Sequence, residues 1–218
     1  MLELKNITKK YSIQDGTKTV LDNICMQIKK GDKLGILGRN GAGKSTLIRI
    51  LSGAELPTQG SINRKMSVSW PLAFGGTFQE QLTGLDNMRF VCRIYNIKAE
   101  DKIPFVQEFS ELGKYFQEPV RTYSSGMKMR LGFAISMVVE FDCYLIDEVM
   151  AVGDRRFTEK CHNELFEKRK DRSMIIVSHD ENYVREHCDI LAVLIDGKIY
   201  HFSTVDEGYN FYAKHMSN

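Results

Sequence analysis

The stretch GRNGAGKST, from Gly38 to Thr46, sets three glycines ahead of a lysine and two hydroxyl residues, in the pattern G-x-x-x-x-G-K-[ST]. Glycines let the backbone curl until successive N–H groups point inward, and a helix N-terminus behind the loop adds partial positive charge. Such a loop holds a polyphosphate by dipoles. Gly38, Arg39, Asn40, Gly41, Ala42 and Gly43 would form the cradle, Lys44 would reach the β- and γ-phosphates, and the Ser45 hydroxyl would ligate Mg²⁺, with Thr46 completing the set. An ordinary glycine-rich turn is the plainer reading, but the apolar strand before the loop and the helix after it argue against that. The loop does not by itself choose a reaction, because nucleotide kinases, GTPases and motor ATPases share it.

Three further groups could act on the same phosphates. CYLIDE places largely apolar residues before Asp147 and Glu148, as in a buried strand whose C-terminal end opens on a ligand crevice. Neighbouring strand side chains point opposite ways, so the carboxylates take different tasks. Asp147 suits the magnesium through its water shell, and Glu148 suits the base or orienter for an attacking water; alternatively the pair caps the next turn. His179 follows another apolar strand, MIIVS, and would emerge at the same sheet edge. His162, His187, His201 and His215 have no comparable setting. TYSSGMKMRLGF puts Ser124, Ser125 and Gly126 ahead of an apolar helix, a turn that is either an anion site or a plain N-cap. Tyr11, before the glycine loop, either stacks on a base, for about 1–3 kcal/mol, or ends a surface strand.

These residues need a sheet to bring them together, and the pattern supplies one. Leu2 and Leu4, then Ile24, Met26 and Ile28, have the period-2 spacing of half-exposed antiparallel strands. GDKLGILG reads as a buried strand, Thr46 to Leu51 as a helix, and LPTQG as the turn beyond it. From Thr83 to about Phe116 the spacing is helical: TGLDNMRFVCRIYNI opens with a Thr-x-x-Asp capping signal, and IPFVQEFSELG has proline near its start and glycine at its stop. FDCYLIDE, SMIIVSHD and DILAVLIDGKIYHF then read as strands, separated by helices around RRFTEKCHNELFEKRK and ENYVREHC, with Asp196-Gly197 turning a hairpin. The alternation predicts a parallel sheet covered by helices and interrupted by a helical insert. The EKRKDR run reads as a solvated helix end whose cations suit the local dipole.

Composition excludes other classes. The 218 residues carry a formal net charge of only +2, with basic and acidic residues interleaved, so no nucleic-acid partner is expected. The cysteines, Cys25, Cys92, Cys143, Cys161 and Cys188, contain no C-x-x-C pair and fit reduced packing thiols of a cytosolic compartment. MLELKNITKKY has no signal-peptide core, and no stretch reaches the roughly 18 apolar residues of a membrane span.

Taken together, the segments resemble the nucleotide-binding subunits of ABC transporters over essentially the whole chain. GRNGAGKST resembles the Walker A motif, CYLIDE the Walker B motif with its catalytic glutamate, YSSGM a variant of the LSGGQ signature, and VSHD the switch-histidine loop, in the family's order. The resemblance implies the P-loop NTPase fold of ABC ATPases: an α/β chain with a mainly parallel sheet, an N-terminal antiparallel β subdomain and a helical subdomain at about 83–138, in one nucleotide-binding domain. It implies ATP and Mg²⁺ as cofactors, Glu148 and His179 as catalytic residues, Tyr11 as the adenine-stacking aromatic, and AVGD as a D-loop with Asp154 between subunits. Ser124, Ser125 and Gly126 would face the γ-phosphate of ATP held by a second copy, so that two chains sandwich two nucleotides head to tail.

The family's pattern is not met everywhere. Tyr123 replaces a leucine of the signature, Ser125 a glycine and Met127 a glutamine, so its backbone contacts carry over better than its side-chain ones. The glutamine loop is irregular. Phe74 falls near the expected glutamine, Gln79 and Gln81 are displaced candidates, and Gln79 is favoured for the metal side. SWPLAFGGTFQEQLTGLDN, TYSSGMKMRLGFAISM and DEVMAVGDRRFTEKC resemble in particular the ATP-binding subunits of bacterial capsular polysaccharide exporters. O-antigen and teichoic acid export subunits are related, many with an added C-terminal domain for which the tail DEGYNFYAKHMSN leaves no room. The expectation is a peripheral ATPase on the cytoplasmic face of the inner membrane, paired with its own copy and docked on a permease through the glutamine-loop region and helical insert. A small-molecule kinase would have no use for YSSGM. A soluble ABC ATPase acting on nucleic acid or ribosomes usually carries two cassettes or long inserts, and an importer subunit would show an ordinary glutamine loop and signature.

Overall fold

The computed structural model describes residues 1–72, 78–147, 155–178 and 180–216. The chain divides into two compact units, one of residues 1–71, 141–148 and 170–218, the other of residues 72–140 and 149–169.

In the first unit, alternating apolar residues pair β1 (Leu2–Ile13) with β2 (Gly16–Ile28), Leu2 opposite Ile28 and Leu4 opposite Met26. A third antiparallel strand, β4 (Gln59–Arg64), joins the other edge of β1. A second sheet has the order β5 (Val68–Leu72), β6 (Cys143–Asp147), β7 (Ser173–Val177), β3 (Lys33–Leu37), β8 (Ile190–Ile195) and β9 (Lys198–Phe202). Its neighbours β6, β7, β3 and β8 run parallel. They are almost wholly buried, which is why they read as continuous rather than alternating apolar runs. The β8–β9 hairpin turns at Asp196 and Gly197, at φ 48° and 76°, as the Asp-Gly pair predicts. Between the sheets, α1 (Lys44–Ser52) contributes Leu47, Ile50 and Leu51 to a core shared with Leu4, Ile24, Leu34 and Ile36. Two helices, α6 (Glu181–His187) and α7 (Val205–Met216), complete the unit, and Arg185 ties them by pairing with Glu181 and Asp206.

The second unit is helical. Thr83 caps α2 (Gly84–Ile94), its hydroxyl accepting the Asp86 N–H at 3.0 Å as the capping signal predicts. The aromatic rings of Phe109 on α3 (Ile103–Ser110), Phe133 on α4 (Ser125–Val138) and Phe157 on α5 (Arg155–His162) meet, with centroids 5.6 and 5.7 Å from Phe109. Lys160 of α5 donates to the carbonyls of Glu108 and Phe109 at 2.9 and 3.0 Å, a cation at the C-terminus of α3, where the helix dipole favours one.

Several elements differ from the sequence reading. β4, β5 and α7 were not anticipated, and the long helix expected over RRFTEKCHNELFEKRK changes after His162 into a π turn, Asn163–Glu167. Nor is the EKRKDR run simply solvated, because Arg169 within it is only 7% exposed. Four of the five cysteines are buried, and burial pushes the thiols of Cys143, Cys161 and Cys188 up to about 12, as packing groups.

Candidate functional site

The parallel register brings the candidate groups of the first unit to one edge of its sheet. Asp147, the last residue of β6, lies opposite Val177 of β7, and Val177 lies opposite Ile36 of β3. Asp147 is therefore two strand spacings, about 10 Å, from Ile36, the penultimate residue of β3. The glycine loop leaves β3 after Leu37 and enters α1 at Lys44.

Backbone approach dictates its glycines. A Cβ at Gly38 would lie 2.6 Å from the Leu194 carbonyl oxygen of β8, and one at Gly43, where φ is 108°, would lie 2.9 Å from that of Val20 on β2. The loop is thus clamped by two strands, and a larger residue at either position would force it outward. Gly41 is different: its φ of 84° alone favours glycine, with open space around it. The Ala42 N–H closes a turn onto the Arg39 carbonyl at 3.1 Å. Gly43 is the N-cap of α1 and offers no side chain, so the first-turn N–H groups face the loop uncapped by any side chain. Lys44 Nζ donates to the carbonyls of Gly38 and Arg39 at 2.6 and 3.1 Å, which holds the ammonium over the loop with a third N–H for a ligand. A groove of roughly 620 Å³ borders the loop, lined by Lys18, Val20, Arg39, Asn40, Leu194 and Asp196 among others.

Tyr11 is anchored through its hydroxyl. It donates to Glu55 Oε1 at 2.7 Å, lies 3.4 Å from Thr46 Oγ1 and accepts from Arg49 Nη2 at 3.3 Å, while Lys9 stands over the ring, 5.2 Å from its centroid. This network fastens the end of β1 to both ends of α1 and sets the ring beside the first turn of that helix. Glu55 is its hub. The hydrogen bond from Tyr11, then those from Lys9 and Arg49, outweigh burial and hold its carboxyl at about 2, against an ordinary 4.5. Sequence reasoning found Tyr11 but not Lys9, Arg49 or Glu55, whose convergence only the fold reveals.

Ser45 is exposed at the start of α1, and Asp147 is half-buried at its strand end. A hydroxyl and a carboxylate are hard oxygen donors of the kind Mg²⁺ takes, and the uncapped amides suit a polyphosphate, so the residues present fit both groups. Glu148, Asp154, His179 and Phe74 lie outside the described residues. His201, assigned no role, donates from Nε2 to the Cys25 carbonyl at 2.8 Å, a structural contact.

In the second unit, Ser124 is the N-cap of α4, its Oγ accepting the Met127 N–H at 3.2 Å. Its hydroxyl proton remains available to an acceptor. Ser125 is exposed beside it. Among the described residues a Cβ at Gly126 would meet nothing closer than Ser124 Oγ, at 3.9 Å, so their packing does not require glycine there. Tyr123, in place of the expected leucine, is buried and donates its hydroxyl to the Tyr115 carbonyl at 2.5 Å. Gln79 is held by its backbone, its N–H and carbonyl both bonded to the Asn87 amide at 2.9 and 3.1 Å, with its side chain exposed. Gln81 is exposed as well.

A family model described as ABC transporter matches residues 21–151, from β2 through the glycine loop, the Ser124 turn and the acidic pair. The chain belongs to the ABC transporter family. Its curated relatives include the ATP-binding protein BexA of Haemophilus influenzae, 59% identical over 97% of this chain and 98% of that protein. The capsule polysaccharide export ATP-binding protein CtrD of Neisseria meningitidis is 58% identical over the same shares. The polysialic acid transport ATP-binding protein KpsT of Escherichia coli is 44% identical over 99% of this chain and 98% of that one. Among solved structures, the ATP-binding cassette MJ0796 in a dimeric post-hydrolysis state superposes with a TM-score of 0.79 at 21% identity, over 93% of this chain and 98% of that one, which establishes the ABC cassette fold.

The Glu55 hub gives a pH signature. Its folded value is depressed, so its contribution to stability is present above 4.5 and lost as pH falls toward 2. Denaturant unfolding should show Glu55→Gln less stable than the parent at neutral pH, with the gap closing across that acid window. A gap independent of pH would contradict the assignment.

Proposed function

We propose that this chain is the ATP-hydrolysing subunit of an exporter of a bacterial cell-surface polysaccharide, most specifically a capsular polysaccharide. The observation that carries the reading is the clamped glycine loop with an uncapped helix behind it, in a chain 58% identical over 97% of its length to a capsule polysaccharide export ATP-binding protein. In this reading the amides of Gly38 to Gly43, with Lys44 and Thr46, bind the ATP phosphates, and the Tyr11 ring stacks on the adenine. Ser45 and Asp147 hold Mg²⁺, which screens phosphate charge when bound, and Gln79 is the candidate on the metal side. Glu148 accepts a proton from the attacking water and His179 orients the γ-phosphate. Ser124, Ser125 and Gly126 donate to the γ-phosphate of ATP on a second copy, so that the site is complete only in the dimer, and Asp154 lies at that junction. Developing charge on the γ-phosphate is stabilised from both chains, so hydrolysis is slow until they close.

A membrane permease is the remaining partner. No helix among the described residues is long and apolar enough to cross a membrane. On α2, Phe90 and Ile94 are each 60% exposed one turn apart, with Arg89 and Arg93 on the adjoining track. Large apolar side chains in such a row suit a docking helix of the permease, with acidic residues opposite the arginines. The chain would then sit peripherally on the cytoplasmic face of the inner membrane.

Glu148→Gln should trap an ATP-bound dimer on size-exclusion chromatography, with turnover lowered at least a hundredfold, roughly the cost of removing a positioned general base; parental turnover would count against its role. Phe90→Asp combined with Ile94→Asp should leave the ATPase of the isolated chain intact and abolish co-purification with the permease. Retained co-purification would remove α2 from the docking face.

A further inference from the structure

Arg169 has no part in the chemistry described so far, yet it is among the few buried charges of the second unit. Its guanidinium is used as a three-way fork. Nη1 donates to Glu164 Oε1 at 2.7 Å and to the Glu164 carbonyl at 2.8 Å; Nη2 donates to the Met137 carbonyl at 3.0 Å and to Glu140 Oε1 at 3.0 Å. Glu164 is itself only 6% exposed, and Lys168 pairs with its other oxygen at 2.7 Å. Burial pushes the Glu164 carboxyl up, but the hydrogen bonds from Arg169 and Lys168 outweigh it and keep the group ionised.

The contacted elements give the fork its meaning. Met137 is in the last turn of α4, which contains no basic residue of its own, so the positive charge favoured at its C-terminus comes from Arg169. Ser124, the N-cap at the other end, opens the turn read above as the contact to the partner's nucleotide. Glu164 belongs to the π turn that continues α5, the helix that follows the segment after Asp147. One side chain therefore fixes the rear of the signature helix to the helix that follows the acidic strand. α4 is 14 residues long, about 21 Å, so a tilt of about five degrees at its rear moves its front by about 2 Å. A displacement of that size is enough to cost a reaction about a hundredfold.

We infer that Arg169 is a positioning residue for ATP hydrolysis, which holds α4 at the angle that presents Ser124 to Gly126 to the partner's nucleotide. A purely structural ion pair would behave differently. Replacing such a pair by apolar residues of similar volume commonly leaves stability unchanged, whereas the planar fork of an arginine is what bridges four acceptors on three residues.

The inference rests on the shared-site reading, and the experiment separates the two. The double variant Arg169→Met, Glu164→Leu and the single variant Arg169→Lys are compared with the parent, each also in a Glu148→Gln background. In the double variant the thermal midpoint and the monomer's affinity for a fluorescent ATP analogue should stay at parental values, while kcat at saturating protein falls at least tenfold and ATP-dependent dimerisation weakens about tenfold. Arg169→Lys, which keeps charge and bulk, should fold and recover only part of both. If Glu148→Gln alone does not dimerise with ATP, the shared-site reading fails. If it does, and the double variant, or Arg169→Lys should the double variant not fold, dimerises and turns over like the parent, the positioning role fails by itself.

Discussion

Everything in the first unit answers to one constraint: backbone carbonyls on β2 and β8 stand so close to the loop after β3 that glycine alone fits at positions 38 and 43. The loop can then do with peptide groups what side chains would otherwise do. The N–H groups at the head of α1 are fixed before any ligand arrives, and a fixed dipole needs no reorganisation when negative charge appears. The parallel sheet supplies the frame, since its strand ends put Asp147 and the loop on one edge. The Glu55 hub supplies the third support, joining β1 to α1 through Tyr11 and Arg49.

In the proposed dimer, the second unit supplies the complementary half. Its Ser124 turn, with Ser124 and Ser125 exposed, heads a helix whose rear is gripped by a buried charge. Among the described residues none packs closely enough to require the glycine at position 126, and in the proposed dimer that position would face the second copy. The two units carry different parts of one proposed reaction: the first binds and aligns a nucleotide, and the second completes the site of a neighbour.

Much of this was legible in the residues. The glycine pattern, the Thr83 cap, the Asp196-Gly197 hairpin and the buried strands all express local rules, and each appears where its residues place it. The missed elements break those rules for tertiary reasons. β4 is almost wholly exposed and shows no apolar alternation. β5 contains Pro71, which a sheet tolerates at an edge, and β5 is the edge strand. α7 carries Gly208 in its interior because a Cβ there would stand 2.9 Å from that of Leu191. The burial of Arg169 was hidden by the π turn. Residues five apart face different ways on an α-helix, but a turn bonded i to i+5, with the Lys168 N–H on the Asn163 carbonyl, brings Glu164 and Arg169 to the same side.

The central claim is that neither chain can hydrolyse ATP alone, because the donors on the γ-phosphate come from two copies. The most direct measurement is the ATPase rate per chain as the protein is diluted at saturating ATP. The account predicts that the specific rate falls in proportion to concentration once dimers dissociate, and that mixing with an inactive chain whose Ser124 turn is intact restores part of it. A specific rate that stays constant down to concentrations at which only monomer is detected would contradict it.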